Sequence, residues 1–416
     1  MIATTSLVSW NDGVLADLCT LSSASALPTE SGAPIYVGLE HVDSGAFLLA
    51  RWALPQAFKS NAFVFQCGDV LYGKLRPYLD KAVIAPGAGV CSTELLVLRP
   101  KADVPSEFVL AILHTPEFVA YAQSSADKQY PRTSWSWISQ YPCRLPPPNE
   151  QQKIAAILGK VQVAVAVEAD LVRVSRELKQ VALRQLFTRG LRGASTLESR
   201  FGTVPAAWNE EVLSKCAYVQ TGIAKNSKNH RSDDIEIPYL RVANVQDGRL
   251  DLREMKMIQV SIKEAEACLL QVGDVVLTEG GDFDKLGRGF IWEGQLKRCV
   301  HQNHVFAVRT NRDRLDPRFF AYLAQSPYGK AYFLSVAHKT TNLACINTTK
   351  LRAFPVLLPS PSEQREIAGL LQTLDAKIAH HEARQGLLRE LFRTLLHDLL
   401  TARRRVTALE LNALQS

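Results

Sequence analysis

PPNEQQKIAAIL at 147–158 and SPSEQREIAGLL at 360–371 are one phrase written twice, and each opens a proline-free segment whose apolar period is helical. From Glu150 to Arg189, and again from Glu363 to Arg405, the chain reads as a long helix. In the second, Ile367, Leu371, Leu374, Ile378, His381, Gln385, Leu388, Phe392, Leu395 and Leu399 alternate four and three residues apart, the seam of a coiled coil. In the first, Ile154, Leu158, Val161 and Val165 start the same seam, and Glu168 falls where the second helix has His381. Leu171, Val174, Leu178 and Val181 then continue it with a slip in register. Each midpoint is polar, so Glu168 is expected opposite His381 or Gln385 as a layer that fixes register. One helix carries the chain away from a first module and the other must return along the same seam, so the pair is expected to be antiparallel. About 40 residues at ~1.5 Å each give a rod of roughly 60 Å with one module at either end.

The repeat extends outward from these helices. IYVGLEHVDSG (35–45) returns as PYLRVANVQDG (238–248), CGDVLYGKLRP (67–77) as VGDVVLTEGGD (272–282), and STELLVLRP (92–100) as QNHVFAVRT (302–310). Trp10-Asn11 returns as Trp208-Asn209, and the offsets grow through 198, 203, 205, 210 and 213, as an old duplication with small insertions requires. Within each copy, β-branched stretches broken by Gly, Asp and Pro precede short helical segments and a proline-rich stop. The fold class expected is α+β: two tandem target-binding modules separated by two long helices in an antiparallel coiled coil, with pseudo-twofold symmetry. The expected boundaries are 1–148 for the first module, 149–189 for the first helix and 190–207 for a Gly-, Ser- and Arg-rich linker. The second module follows at 208–360, the second helix at 361–405 and a tail at 406–416.

Composition agrees with a folded chain: 47% of the 416 residues are hydrophobic and 21% charged. No run of 18 apolar residues occurs and the opening stretch lacks a basic region followed by an apolar core, so a spanning or secreted protein is not expected. Eight cysteines without a CxxC pair read as reduced thiols of the cytoplasm rather than a zinc site or disulfide frame. A net charge of +7 permits a polyanionic partner without requiring one.

Catalytic motifs fail on inspection. GDVLYGKL (68–75) satisfies GxxxxGK but has Leu75 where a phosphate loop needs Ser or Thr, and Pro77 prevents a helix from opening there. A basic hairpin is the better reading. His301 and His304 form HxxH, yet the first copy has Cys91 and Glu94 at those places in a strand pattern, which makes structural histidines the expectation. No catalytic residue and no metal site is predicted.

The polar loops carry more information. LYGKLRPYLDK (71–81) presents Lys74, Arg76, Tyr78 and Lys81, and QYPRTSWSW (129–137) adds Arg132, Thr133, Ser134 and Trp135. In the second copy the candidates are Arg241 and Asn244, then Lys285 and Arg288, then Lys339, Thr340, Thr341 and Asn342. Guanidinium, hydroxyl, amide and indole groups of this kind make phosphate contacts and base-edge hydrogen bonds. The framework repeats while the loops differ, as two readers of different sequences on one scaffold require.

These features together resemble the specificity subunit of type I restriction-modification systems. The resemblance covers nearly the whole chain, and the twin helix openings resemble that family's P-x-x-E-Q-x-x-I signature; SWNDGVL and FGTVPAAWNEEVL resemble its module starts. It implies that each module reads one half of a split double-stranded DNA site, while the helices space the halves and dock methyltransferase (modification) subunits, two of them expected. S-adenosylmethionine, ATP and Mg are then expected on the partner methyltransferase and restriction/translocase subunits, with no cofactor on this chain. Arg173, Arg176, Lys179, Arg389 and Arg393 on the helices are candidate docking positions. Two alternatives stay open: a coiled-coil adaptor whose modules bind protein, and a fragment of a combined restriction and methylation enzyme.

Overall fold

The computed structural model describes residues 9–124, 131–224, 234–281, 286–339 and 344–406. The chain divides into two compact units, residues 1–170 with 381–416, and residues 171–380. Each unit therefore draws on both halves of the sequence.

In the first unit a four-stranded antiparallel sheet runs in the order Cys19–Ser22, Leu95–Pro100, Val70–Gly73, Ala82–Ile84. Leu95–Leu98 and Val70–Gly73 are buried throughout, which is why these stretches read as apolar runs rather than alternating ones. A second sheet orders Ser25–Ala26, Ala62–Phe65, Gly89–Cys91 and Tyr36–Val37. Asn11–Val14 pairs with Pro142–Leu145, which leads directly into the first long helix, Pro148–Arg189. The core packs Trp10, Leu15, Phe108 and Phe118 against Ile154 and Leu158 of that helix and Phe392, Leu396 and Leu399 of the second.

The second unit repeats this plan in register. Its sheet orders Ala217–Thr221, Val305–Thr310, Val275–Thr278 and Gly289–Ile291, and Asn209–Val212 pairs with Pro355–Leu358 ahead of the second long helix, Pro361–Leu400. Val70 opposite Leu98 becomes Val275 opposite Val308, and Gly73 opposite Leu95 becomes Thr278 opposite Val305. A buried aspartate repeats as well. Asp69 accepts from the Gln66 amide at 2.8 Å and from Arg99 Nε at 2.9 Å; Asp274 accepts from the Gln271 amide at 2.8 Å and from Arg309 Nε at 2.8 Å. Each carboxylate closes the turn before its strand and ties it to the neighbouring strand.

The shared Glu-Gln of the helix openings has a local cause. Gln151 Nε2 donates to the Pro146 carbonyl at 2.8 Å, and Gln364 Nε2 donates to that of Pro359 at 3.1 Å, so each glutamine ties its helix to the strand before it. The neighbouring glutamate grips the segment that follows the other helix. Glu150 accepts from Arg405 Nε at 2.7 Å and from Trp10 Nε1 at 2.9 Å. Burial alone raises a carboxyl pKa, but the Arg405 and Trp10 bonds outweigh it and hold Glu150 below its usual value. Glu363 Oε1 accepts from the Leu191 amide at 3.1 Å, just past Gly190, whose left-handed φ of 65° ends the first helix. In both units the start of one helix thus meets the end of the other, so the helices pair antiparallel.

Ile154, Leu158, Ile367, Leu371 and Phe392 of the seam are buried, and Val161, Leu374, Ile378, His381, Leu388 and Leu395 are half-buried. At the polar midpoint Glu168 accepts from His381 Nδ1 at 2.7 Å and lies 3.0 Å from Arg384 Nε. Beyond Glu168 the expectation for the first helix is corrected. Leu178 is 50% exposed, and Leu171, Val174 and Val181 are exposed with it. The seam passes instead through Val172, Ser175 and Lys179, spaced four, three and four from Glu168, and then through Leu183, four residues further on. Lys179 is accommodated because Asp375 Oδ1 lies 2.6 Å from its Nζ, while Tyr322 donates its hydroxyl to Asp375 Oδ2 at 2.7 Å. Lys179 accordingly leaves the set of solvent-facing docking candidates.

The stretch between the helix and the second module, expected as a plain connection, folds into a hairpin of Thr196–Ser199 and Gly202–Pro205. Val204 is buried, and Phe201 sits edge-on to Tyr328 and Tyr332. Among the described residues, no helix is long and apolar enough to cross a membrane, and no cluster of three metal-ligating side chains occurs.

Candidate nucleic-acid interface

In the first module the structure joins two of the loops singled out in the sequence. The Lys74 amide donates to the Glu94 carbonyl at 3.0 Å, and the Thr133 amide donates to the Lys74 carbonyl at 2.9 Å. Leu75 bridges Arg132, and the Arg76 amide donates to the Pro131 carbonyl at 2.7 Å. The strand Val70–Gly73 therefore extends past the sheet into a junction with residues 131–133. Arg76 holds a left-handed φ of 52° and Asp80 one of 48°, uncommon for side-chain-bearing residues, on either side of the turn that exposes Tyr78. His114 Nδ1 lies 2.6 Å from an Asp80 carboxylate oxygen and fixes that turn from below.

Arg76, Tyr78, Arg132 and Ser134 are exposed; Lys74 and Trp135 are half-buried. Arg132 Nη2 donates to Glu94 Oε1 at 2.7 Å, which orients its guanidinium while leaving the side chain 56% exposed. Trp137, also exposed, stacks on Tyr121 with ring centroids 5.2 Å apart. Two candidates are displaced from the surface. Thr133 is buried in the junction, and Lys81 spends its ammonium on the Leu39 carbonyl at 2.7 Å. The arrangement presents cations and a planar aromatic on a braced backbone, which suits phosphate and base-edge contacts.

The second module builds the same junction. The Glu279 amide donates to the His304 carbonyl at 3.0 Å, and the Ile346 amide donates to the Glu279 carbonyl at 2.8 Å. Gly280 pairs with Cys345 and Gly281 with Ala344; a side chain at Gly280 would meet the Ala344 carbonyl at 2.7 Å, so glycine permits the approach. Backbone for backbone, Glu279 stands where the first module has Lys74, His304 where it has Glu94, and Cys345 where it has Arg132. Sequence reading missed Glu94 and Glu279 and gave His304 only a structural role.

A family profile described as the type I restriction modification DNA specificity domain matches residues 210–389. The matched stretch is less than half of the chain and lies in its second copy. The MjaVIII type I restriction enzyme specificity subunit of Methanocaldococcus jannaschii is 25% identical over 273 residues, 63% of this chain and 62% of that one. A protein of the same organism named for the MjaX specificity subunit is 24% identical over 207 residues, 47% of this chain and 48% of that one. The alignments thus span less than two thirds of these curated relatives. The fold is shared with the type I restriction-modification S subunit from M. genitalium, at a TM-score of 0.59, 13% identity, and coverage of 98% of this chain and 99% of that one.

Within the matched stretch, three further candidates are wholly or partly withdrawn from the surface. Asn244 is buried: its side-chain oxygen accepts from the Arg241 amide, and its nitrogen donates to the Asp251 and Glu254 carbonyls at 2.9 and 3.0 Å. It shapes a loop, and Arg241 beside it, half-buried, donates to the Glu254 carbonyl at 3.2 Å. Arg288 is half-buried with Nη2 3.4 Å from the Val242 carbonyl. Lys285, Thr340, Thr341 and Asn342 lie outside the described residues, as does the side chain of Lys339. His301 is fully buried with Nδ1 on the Val305 carbonyl at 2.7 Å, and burial pushes its pKa below 6.5. Burial also pushes the thiols of Cys19, Cys91, Cys143 and Cys299 up to about 12, so they stay protonated and inert at neutral pH.

Proposed function

We propose that the chain is the non-catalytic recognition component of a type I restriction-modification complex, each module reading one half of a two-part double-stranded DNA site in the cytoplasm. The observation that carries this reading is the twin junction: one backbone, hydrogen bond for hydrogen bond, that displays Lys74, Glu94 and Arg132 in one module and Glu279, His304 and Cys345 in the other. A scaffold kept constant while its solvent-facing groups change sign fits two readers of different base sequences. Arg76, Arg132, Tyr78 and Lys74 supply phosphate and base contacts in the first module, with Ser134 and Trp135 beside them.

The helices set the gap between the half-sites and dock the methyltransferase subunits. The exposed residues Leu171, Val174, Leu178 and Val181 recur three, four and three apart, an outward seam that a helix of a modification subunit would cover. The methyltransferase then brings S-adenosylmethionine, and the restriction subunits bring ATP and Mg.

The test is to assemble the chain with its methyltransferase subunits and map the methylated sequences. A bipartite motif is expected. Deleting one heptad from both helices removes roughly 10 Å of rod and should shift the preferred gap by about three base pairs. An unchanged gap rejects the spacer role, and a complex without sequence preference rejects the recognition role.

A further inference from the structure

The junction of the second module holds a carboxylate where the first holds an ammonium, and its immediate surroundings hold that carboxylate in place. His304 Nδ1 hydrogen-bonds to Glu279 Oε2, while Asn303 Nδ2 lies 3.4 Å from His304 Nε2. The amide, as donor, makes Nε2 the acceptor, so the ring carries its proton on Nδ1 and donates it to the carboxylate. One glutamate oxygen is thereby used. Among the described residues the other, Oε1, has no hydrogen-bond partner, although the Glu279 side chain is only 26% exposed and His304 is 58% exposed. The backbone on either side is fixed by the His304 and Ile346 pairings described above, so the group projects from a rigid edge rather than from a mobile loop.

We propose that Glu279 is a base-reading residue of the second module, with His304 as its positioning partner, and that it accepts a hydrogen bond from an exocyclic amino group in the major groove. Cytosine N4 and adenine N6 are the donors of that chemistry, and a carboxylate oxygen is an acceptor for them. The inference rests on the DNA-reading function proposed above and adds to it the class of base edge read at one position. The first module supplies the contrast. There Glu94 Oε1 accepts from Arg132 and Glu94 Oε2 is buried, so the group offered outward is a guanidinium, which pairs with the acceptor edge of guanine. The two junctions are thus matched to opposite hydrogen-bond polarity.

The experiment uses the complex assembled with its methyltransferase subunits, presented with a randomised double-stranded DNA pool and sequenced after selection. The wild type is expected to enrich two half-sites, one containing a base pair whose discrimination depends on Glu279. E279Q, which keeps the shape and turns one oxygen into a donor, should relax or change preference at that pair by roughly tenfold or more and leave the other half-site intact. The identity of the affected base tells cytosine from adenine. H304A should weaken discrimination at the same pair, and H304Q, which keeps a donor, should restore part of it. R132A should alter only the other half-site. If E279Q leaves both half-sites unchanged, or abolishes selection of both together, the inference is wrong and the Glu279–His304 pair is structural. If the wild type itself enriches nothing, the DNA-reading function fails first, a distinct result.

Discussion

The corrected seam of the first helix makes a prediction opposite to the one that hydrophobicity suggests. Lys179, whose side chain is 10% exposed, faces Asp375, which is 26% exposed and also accepts from the Tyr322 hydroxyl. K179M keeps the stem's volume, removes the charge, and leaves Asp375 with one partner and some water. Breaking a fully buried pair costs about 3 to 5 kcal/mol; partial exposure of Asp375 and its remaining Tyr322 bond reduce the expected loss to about 1.5 to 3 kcal/mol. Replacing both members, K179M with D375L, should recover most of that loss, because no unpaired charge then remains. L178K, one residue away, places an ammonium on an exposed surface and should stay within about 0.5 kcal/mol of the parent. Hydrogen exchange across residues 171–189 and 361–380, read as local opening free energies, measures all four chains. A larger loss for L178K than for K179M would put Leu178 in the seam and refute the register described here.

Asp69 and Asp274 offer an internal replicate: D69N and D274N should each weaken their own unit by about 2 kcal/mol, with similar losses by hydrogen exchange, because both lose the same charge-assisted bonds to an arginine. The K74A/R76A double variant should weaken DNA binding by the assembled complex and flatten the slope of log affinity against log salt by about one to two; an unchanged slope removes that turn from the phosphate contacts. His301 predicts a pH dependence. Its folded pKa lies below 6.5, so the unfolded chain takes up the proton first as pH falls. Its contribution to the second unit is full above about pH 6.5 and is lost progressively below it, as urea midpoints measured from pH 8 downward should show.

The second helix was legible along its seam, since none of Ile367, Leu371, Leu374, Ile378, Leu388, Phe392, Leu395 and Leu399 is exposed, although Leu370, Leu387 and Leu391 face outward and Leu396 is buried beside the seam. The first was legible only as far as Glu168. Past that point its apolar residues form an outward row with heptad-like spacing, while the true seam carries Ser175 and Lys179, whose partners Asp375 and Tyr322 lie far away in the sequence. A pattern that weighs hydrophobicity alone chooses the wrong row. At the candidate site, Arg76 and Arg132 announced themselves by type, but their meeting depends on backbone pairing between segments more than fifty residues apart, which composition does not encode. Burial of Thr133 and Asn244 was hidden for the same reason: a short polar side chain reads alike whether it faces water or caps a loop. The clue to Glu279 and His304 lay in the repeat itself, since the register offsets place them on Lys74 and Glu94.

Because the core around Trp10, Phe108 and Leu158 is completed by Phe392, Leu396 and Leu399, the amino-terminal head cannot close while the ribosome is still making the rest. About 240 residues separate Leu158 from Leu399, which at ~5 to 20 residues per second is roughly 10 to 50 s of synthesis with an oily face uncovered. Losing the last turns of the second helix should therefore cripple the unit begun first, and nascent chains stalled in that interval are where holdase chaperones should be found.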